Sequence, residues 1–180
     1  MSVNQVATFL SLLALVAVAI SLSTGIALAT VTGRSRLATL GDTPLRLAAA
    51  VATTSVAGSL YFSEVAGFRP CELCWYQRIA MYPLALILVV AVFRPGSNIA
   101  RFALPLSISG SAVSIYHYQL QLFPDQGSSC EPGASCAFRW VEKFEFISIP
   151  LMALAGFAAV TALVVAHARQ TTANLQETTQ

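Results

Sequence analysis

The chain is 180 residues long, 56% hydrophobic and only 10% charged, where a soluble domain carries about a quarter charged residues. It therefore reads as an integral membrane protein, and its net charge of +2 supplies no basic patch dense enough to neutralise a run of phosphates, which argues against a nucleic-acid partner. The four cysteines are too few for a disulfide-built scaffold and fall in two pairs, Cys71 with Cys74 and Cys130 with Cys136.

Five stretches are apolar and long enough for a hydrocarbon core that needs about 20 helical residues: roughly 5 to 31, 45 to 67, 76 to 93, 99 to 122 and 147 to 167. The first contains no charge through residue 33 and ends in "ALA" at 27 to 29, which imitates a signal-peptidase site. A signal peptide has a positive n-region and a shorter apolar core, so a retained helix with its N-terminus outside is the expectation. Between the first two spans lies "TGRSRLATLGDTPLR", with Arg34, Arg36 and Arg46 against Asp42 alone. "RPGSNIAR", with Arg94 and Arg101, joins the third to the fourth. Short basic connectors stay in the cytoplasm. The connectors at 67 to 75 and 123 to 146 then face outward, and all four cysteines sit where disulfides persist.

Small residues crowd the second and fourth spans ("AAAVATTSVAGS", "SISGSAVS"), as suits helices packed closely in lipid. Pro83, Pro105 and Pro150 fall within or at the start of spans, where neighbouring helices can cover the freed carbonyls. After the second cysteine pair, "CAFRWVEKFEFISIP" places Ala137, Trp140, Val141 and Phe144 at helical spacing, the pattern of a short helix lying on the membrane surface. The tail "ARQTTANLQETTQ" is polar and predicts disorder. The expected fold is all-α, a polytopic membrane helical bundle.

Structural zinc is disfavoured because five residues intervene between Cys130 and Cys136 rather than two to four, so no metal is expected. "EPGAS" between them offers Pro132 and Gly133 as the middle of a tight turn that suits a disulfide. Two structural disulfides remain an alternative to a redox pair. A C-x-x-C at a helix N-terminus favours the redox reading, because the helix dipole lowers a thiol pKa there. Arg78, four residues after Cys74, lies on the same helical face and is placed to stabilise a thiolate; the alternative is a side chain snorkelling to the interface. His117 is either a packing histidine or a hydrogen-bond donor to a carbonyl. Trp75, Tyr76, Tyr116 and Tyr118 read as an interfacial aromatic belt, and Glu72 inside the pair opposes Arg78.

The segments "CELCWYQR" opening one helix, "YHYQLQLFP" closing another and the cysteine pair after it resemble the DsbB family of bacterial inner-membrane thiol oxidases. The resemblance covers about residues 45 to 167. It implies a four-helix membrane core, here with an extra helix and cytoplasmic connector at 1 to 44 and a tail at 168 to 180. It implies an enzyme that reoxidises a soluble DsbA-like thioredoxin-fold protein and passes the electrons to a membrane quinone, ubiquinone or menaquinone. Cys71 and Cys74 become the pair beside the quinone, Cys130 and Cys136 the pair that exchanges with the partner, and Arg78 and His117 quinone-site residues with Cys74. In that scheme the partner attacks Cys130, the released Cys136 attacks Cys71, and Cys74 is left as the thiolate near Arg78. The extra span, the close spacing of the loop cysteines and Glu72 depart from the family pattern. Vitamin K epoxide reductase-like proteins also couple a C-x-x-C and a loop pair to quinone, but there the loop pair comes first. A membrane scaffold with structural disulfides is the non-enzymatic alternative.

Overall fold

The computed structural model describes residues 2–94, 98–126 and 136–178. Six α-helices follow in order: α1 (Val3–Ala29), α2 (Val31–Ala38), α3 (Thr43–Leu60), α4 (Glu72–Phe93), α5 (Ala100–Leu122) and α6 (Ile149–Thr178). Among the described residues the one β feature is an isolated bridge between Lys143 and Ile147.

Among the described residues, four helical stretches are long and apolar enough to cross a membrane: Val3–Ala29, Thr43–Val65, Glu72–Phe93 and Ile149–Thr172. The chain is a multi-pass membrane protein. The remaining expected span, α5, has the length but carries too many hydroxyls to join them. Ser107, Ser109, Ser111 and Ser114 each return their hydroxyl to a carbonyl three or four residues back in the same helix, which satisfies the donor without water. α5 packs against α4 and α6, and α3 packs against the same two helices. Helices α3 to α6 thus form a closed ring of four, with α1 laid on the outside of α6.

Sequence explains the close approaches. A Cβ on Gly110 of α5 would lie 2.2 Å from the Phe157 ring of α6, and Phe157 is fully buried. The core between α3, α4 and α6 is filled by Ala48, Ala52, Leu84, Leu88, Val160 and Val164. By contrast α1 leaves Phe9, Leu12, Leu22 and Ile26 exposed, as a helix solvated by lipid on its outer face does.

Two local expectations are corrected, those for the segment after Cys136 and for the polar tail. The segment after Cys136 is a tight turn instead of a surface helix: Phe144 and Glu145 both have positive φ, and Phe146 donates to the Lys143 carbonyl, the geometry of a hairpin turn. The arginine connector after the first span contains α2. α6 continues through the polar tail to Thr178, for which composition predicts no structure. Asn4 at the start of α1 accepts from Lys143 in the turn, so the beginning of α1 lies at the same end of the bundle as the C-x-x-C. Gln170 donates to the Leu37 carbonyl, tying α6 to α2 at the other end.

Candidate active site

The C-x-x-C is itself the start of α4. Cys71 is the N-cap, in extended conformation, and its Sγ accepts from the Cys74 backbone N–H at 3.4 Å. Sulfur here does what a serine oxygen does in a typical cap. Both thiols are free, with Sγ atoms 3.0 Å apart. The antiparallel neighbour α5 brings His117 to them: its Nε2 lies 3.5 Å from Cys71 Sγ and 3.2 Å from the Cys136 carbonyl oxygen. A carbonyl can only accept, so Nε2 carries the proton. One turn deeper, Gln77 donates to Ser114 at 3.1 Å and fixes the register of α4 against α5.

Three donors therefore converge on the Cys71 sulfur. The Cys74 thiol is the strongest of them, His117 adds a weaker bond and the Cys74 amide a third, and together they outweigh burial and hold the Cys71 pKa at about 4. The donors converge on Cys71, at the helix N-terminus, whereas the spacing to Arg78 points to Cys74. The reason is where Arg78 goes. It shares a face with Cys74, but Nε donates to Ser59 Oγ and Nη2 to the Ser59 carbonyl on α3, both at 3.0 Å. Its guanidinium stacks on Trp75, 5.2 Å from the ring centre.

Ser59 sits just before a π-helical turn, Tyr61–Val65, that ends α3; such turns recur at functional sites. Nothing in the sequence at Ser59 marks it, because its partner is 19 residues away.

Cys136 meets the C-x-x-C pair. Cys136 is disulfide-bonded, almost fully buried, and packed in one cluster with Cys71, Cys74, Leu73 and Leu120. Cys130 and the "EPGAS" turn lie outside the described residues. Arg139 holds this loop to α5 through the Gln121 carbonyl at 3.0 Å. Phe62, Phe68, Trp140 and Phe138 form a continuous run of ring contacts at 4.9 to 5.7 Å between centroids, anchoring the loop over the end of α3.

Beneath this aromatic roof is a cavity of about 290 Å³. Its upper end carries Ser59, Arg69, Cys74, Gln77, Arg78 and Tyr82; deeper in, Leu13, Ala17, Ile20, Val51 and Phe157 make it apolar. Of the sequence-predicted site residues, Cys74 and Arg78 line this cavity, while Cys71, His117 and Cys136 form the adjoining thiol cluster. The Cys71 and Cys74 sulfurs and the His117 nitrogen lie within 4.8 Å of one another.

A protein-family model described as "Disulfide bond formation protein DsbB" matches residues 42–167. Disulfide bond formation protein C of Bacillus subtilis (strain 168) is 46% identical over 109 residues, covering 59% of this chain and 79% of that protein. A probable disulfide formation protein C 2 of Bacillus anthracis is 40% identical over 121 residues, 67% of this chain and 86% of that protein. A probable disulfide formation protein of Oceanobacillus iheyensis is 45% identical over 112 residues, 61% and 77% respectively. No solved structure matches the chain. With the match spanning all four helices of the ring and the loop that brings Cys136 to Cys71, the chain belongs to the DsbB family of disulfide bond formation proteins.

Proposed function

We propose that this disulfide-generating membrane oxidoreductase reoxidises a soluble, extracytoplasmic DsbA-like thioredoxin-fold protein and passes the electrons to a membrane quinone. The observation that carries the reading is the convergence of a disulfide-bonded Cys136 with the free Cys71 and Cys74 at the mouth of a cavity polar at one end and apolar at the other. A partner thiolate attacks the loop disulfide at Cys130 and Cys136 leaves; the partner's second thiol then displaces Cys130 and the partner departs oxidised. Cys136, packed on Cys71, next attacks a Cys71–Cys74 bridge at Cys71, and Cys130 resolves the mixed disulfide. The loop disulfide is restored and the two electrons rest on Cys71 and Cys74, with one proton on Cys74 and the other released from the Cys71 thiolate.

The lining fits a quinone. Arg78, braced by Ser59, and Gln77 offer donors beside Cys74, while the apolar depth suits a hydrocarbon tail. A quinone bound there accepts two electrons and two protons, ubiquinone or menaquinone alike. The chain's own work is to hold Cys71 as a thiolate, to keep Cys74 against the cavity and, under the Phe62, Phe68 and Trp140 rings, to exclude water. The basic connectors at the opposite end support placement in a bacterial cytoplasmic membrane with the cysteine end outward. Residues 45 to 167 then form the redox unit. Purified protein supplied with a reduced thioredoxin-fold dithiol and a quinone is expected to reduce the quinone, and Cys71→Ser to abolish this while remaining folded. Full turnover by Cys71→Ser overturns the reading.

A further inference from the structure

The region matched by the family begins at residue 42, so α1 lies wholly outside it. Yet α1 lines the cavity with Leu10, Leu13, Ala14, Val16, Ala17 and Ile20. On the structure we infer that α1 is a specificity-determining wall: it turns a groove between α3 and α6 into a slot that holds the linear hydrocarbon tail of a prenyl quinone. This rests on the quinone reading above.

Three features support a slot over a packing defect. First, α1 packs chiefly on α6 and α2 and meets α3 through Ala14 and Ala17 beside Val51, so small side chains of α1 stand opposite Val51, Thr54 and Ser55 along the cavity. Second, α1 and α3 draw together near the cysteine end. A Cβ on Gly58 of α3 would lie 3.1 Å from Leu10 of α1, so the glycine lets the two helices approach there, while below it Ala14 and Ala17 keep the α1 wall thin. Third, the polarity is graded. The cavity's charged and amide groups, Arg69, Gln77 and Arg78, all sit at the cysteine end. The Ser55 hydroxyl deeper in is already spent on the Val51 carbonyl at 2.9 Å. From Leu10 to Ile20 a helix rises about 15 Å, far longer than a single ring. A ligand filling this space has a polar ring at one end and an extended apolar chain along α1.

The test compares tailed and tail-less quinones on the full-length protein in detergent. Ala14→Phe, which narrows the slot far from Cys74, is expected to raise the apparent KM for polyprenyl-tailed ubiquinone or menaquinone about tenfold, equivalent to about 1.4 kcal/mol. It should leave the KM for the same rings without a tail within about twofold. Leu15→Phe, on the exposed face of α1, should change neither; Ala14→Val repeats the test if the larger side chain prevents assembly. Quenching of tryptophan fluorescence by each quinone measures binding without turnover. Equal effects on tailed and tail-less quinones, or none, overturn the slot while leaving the redox reading intact. Conversely, tail-selective binding that Ala14→Phe weakens, in a protein that reduces no quinone, upholds the slot and overturns the redox reading.

Discussion

Replacing His117 by alanine removes one of the three donors to the Cys71 sulfur. A hydrogen bond to a charged group contributes about 1.5–3 kcal/mol, and at 3.5 Å the lower end applies. At 1.36 kcal/mol per unit, about 1.5 kcal/mol is about one pKa unit. The Cys71 pKa, held at about 4 in the intact site, is therefore expected to rise to about 5. The sign follows from linkage. Folding lowers this pKa, so the thiolate stabilises the folded dithiol state fully above the ordinary thiol value, and the contribution is lost as pH falls toward about 4. His117→Ala moves the lower edge of that window upward and shrinks the stabilisation. The assay is ultraviolet thiolate absorbance of reduced protein in detergent, with Cys130 and Cys136 replaced by serine and a further Cys71→Ser chain as the blank. His117→Gln, which keeps an amide donor, should recover part of the shift, separating a bonding role from simple loss of packing. An unchanged midpoint in His117→Ala refutes the assignment of His117 as a donor. A midpoint near 8.5, the ordinary thiol value, in the protein with His117 intact refutes the Cys71 thiolate itself.

Gly110→Ala drives a methyl into the buried Phe157 ring and should destabilise by about 1–3 kcal/mol, read as a lower thermal midpoint in detergent; Phe157→Leu in the same chain should restore part of it. Ser59→Ala removes the hydroxyl that receives Arg78 Nε and should raise the apparent KM for quinone several-fold with thiol exchange intact; an unaltered KM would show that Arg78 needs no brace. In a chain otherwise free of cysteine, a probe thiol at Glu145 should react with an impermeant reagent in intact cells and one at Ser35 should not, and labelling at Ser35 would invert the proposed orientation. Cys136→Ser mixed with reduced partner should accumulate a mixed disulfide to Cys130, detectable on a non-reducing gel, and failure to trap it counts against attack at Cys130.

Much of the bundle was legible from residue pattern because lipid imposes a one-dimensional rule. A run of some 20 apolar residues must be helical to satisfy its own backbone, and α1, α3, α4 and α6 obey it. The same local logic located the C-x-x-C at the start of α4, since the N-cap and the first turn are decided by neighbours within four residues. Where local pattern misled, a longer-range contact had won. The amphipathic spacing around Trp140 suggests a helix, but stacking of Trp140 on Phe68 and the positive φ angles at Phe144 and Glu145 hold a turn instead. The spacing of Arg78 from Cys74 puts the two side chains on one face, as the structure has them, but it does not show that Ser59 on the adjacent helix holds the guanidinium. Which cysteine carries the charge was thus beyond the sequence, because it depends on donors from two helices meeting at one sulfur. The sequence by itself determined the membrane class, the two thiol pairs and the family. Only the tertiary structure decided that Cys136 lies against Cys71 and that α1 walls the cavity beside Cys74, since both depend on side chains far apart in the chain filling one shared space.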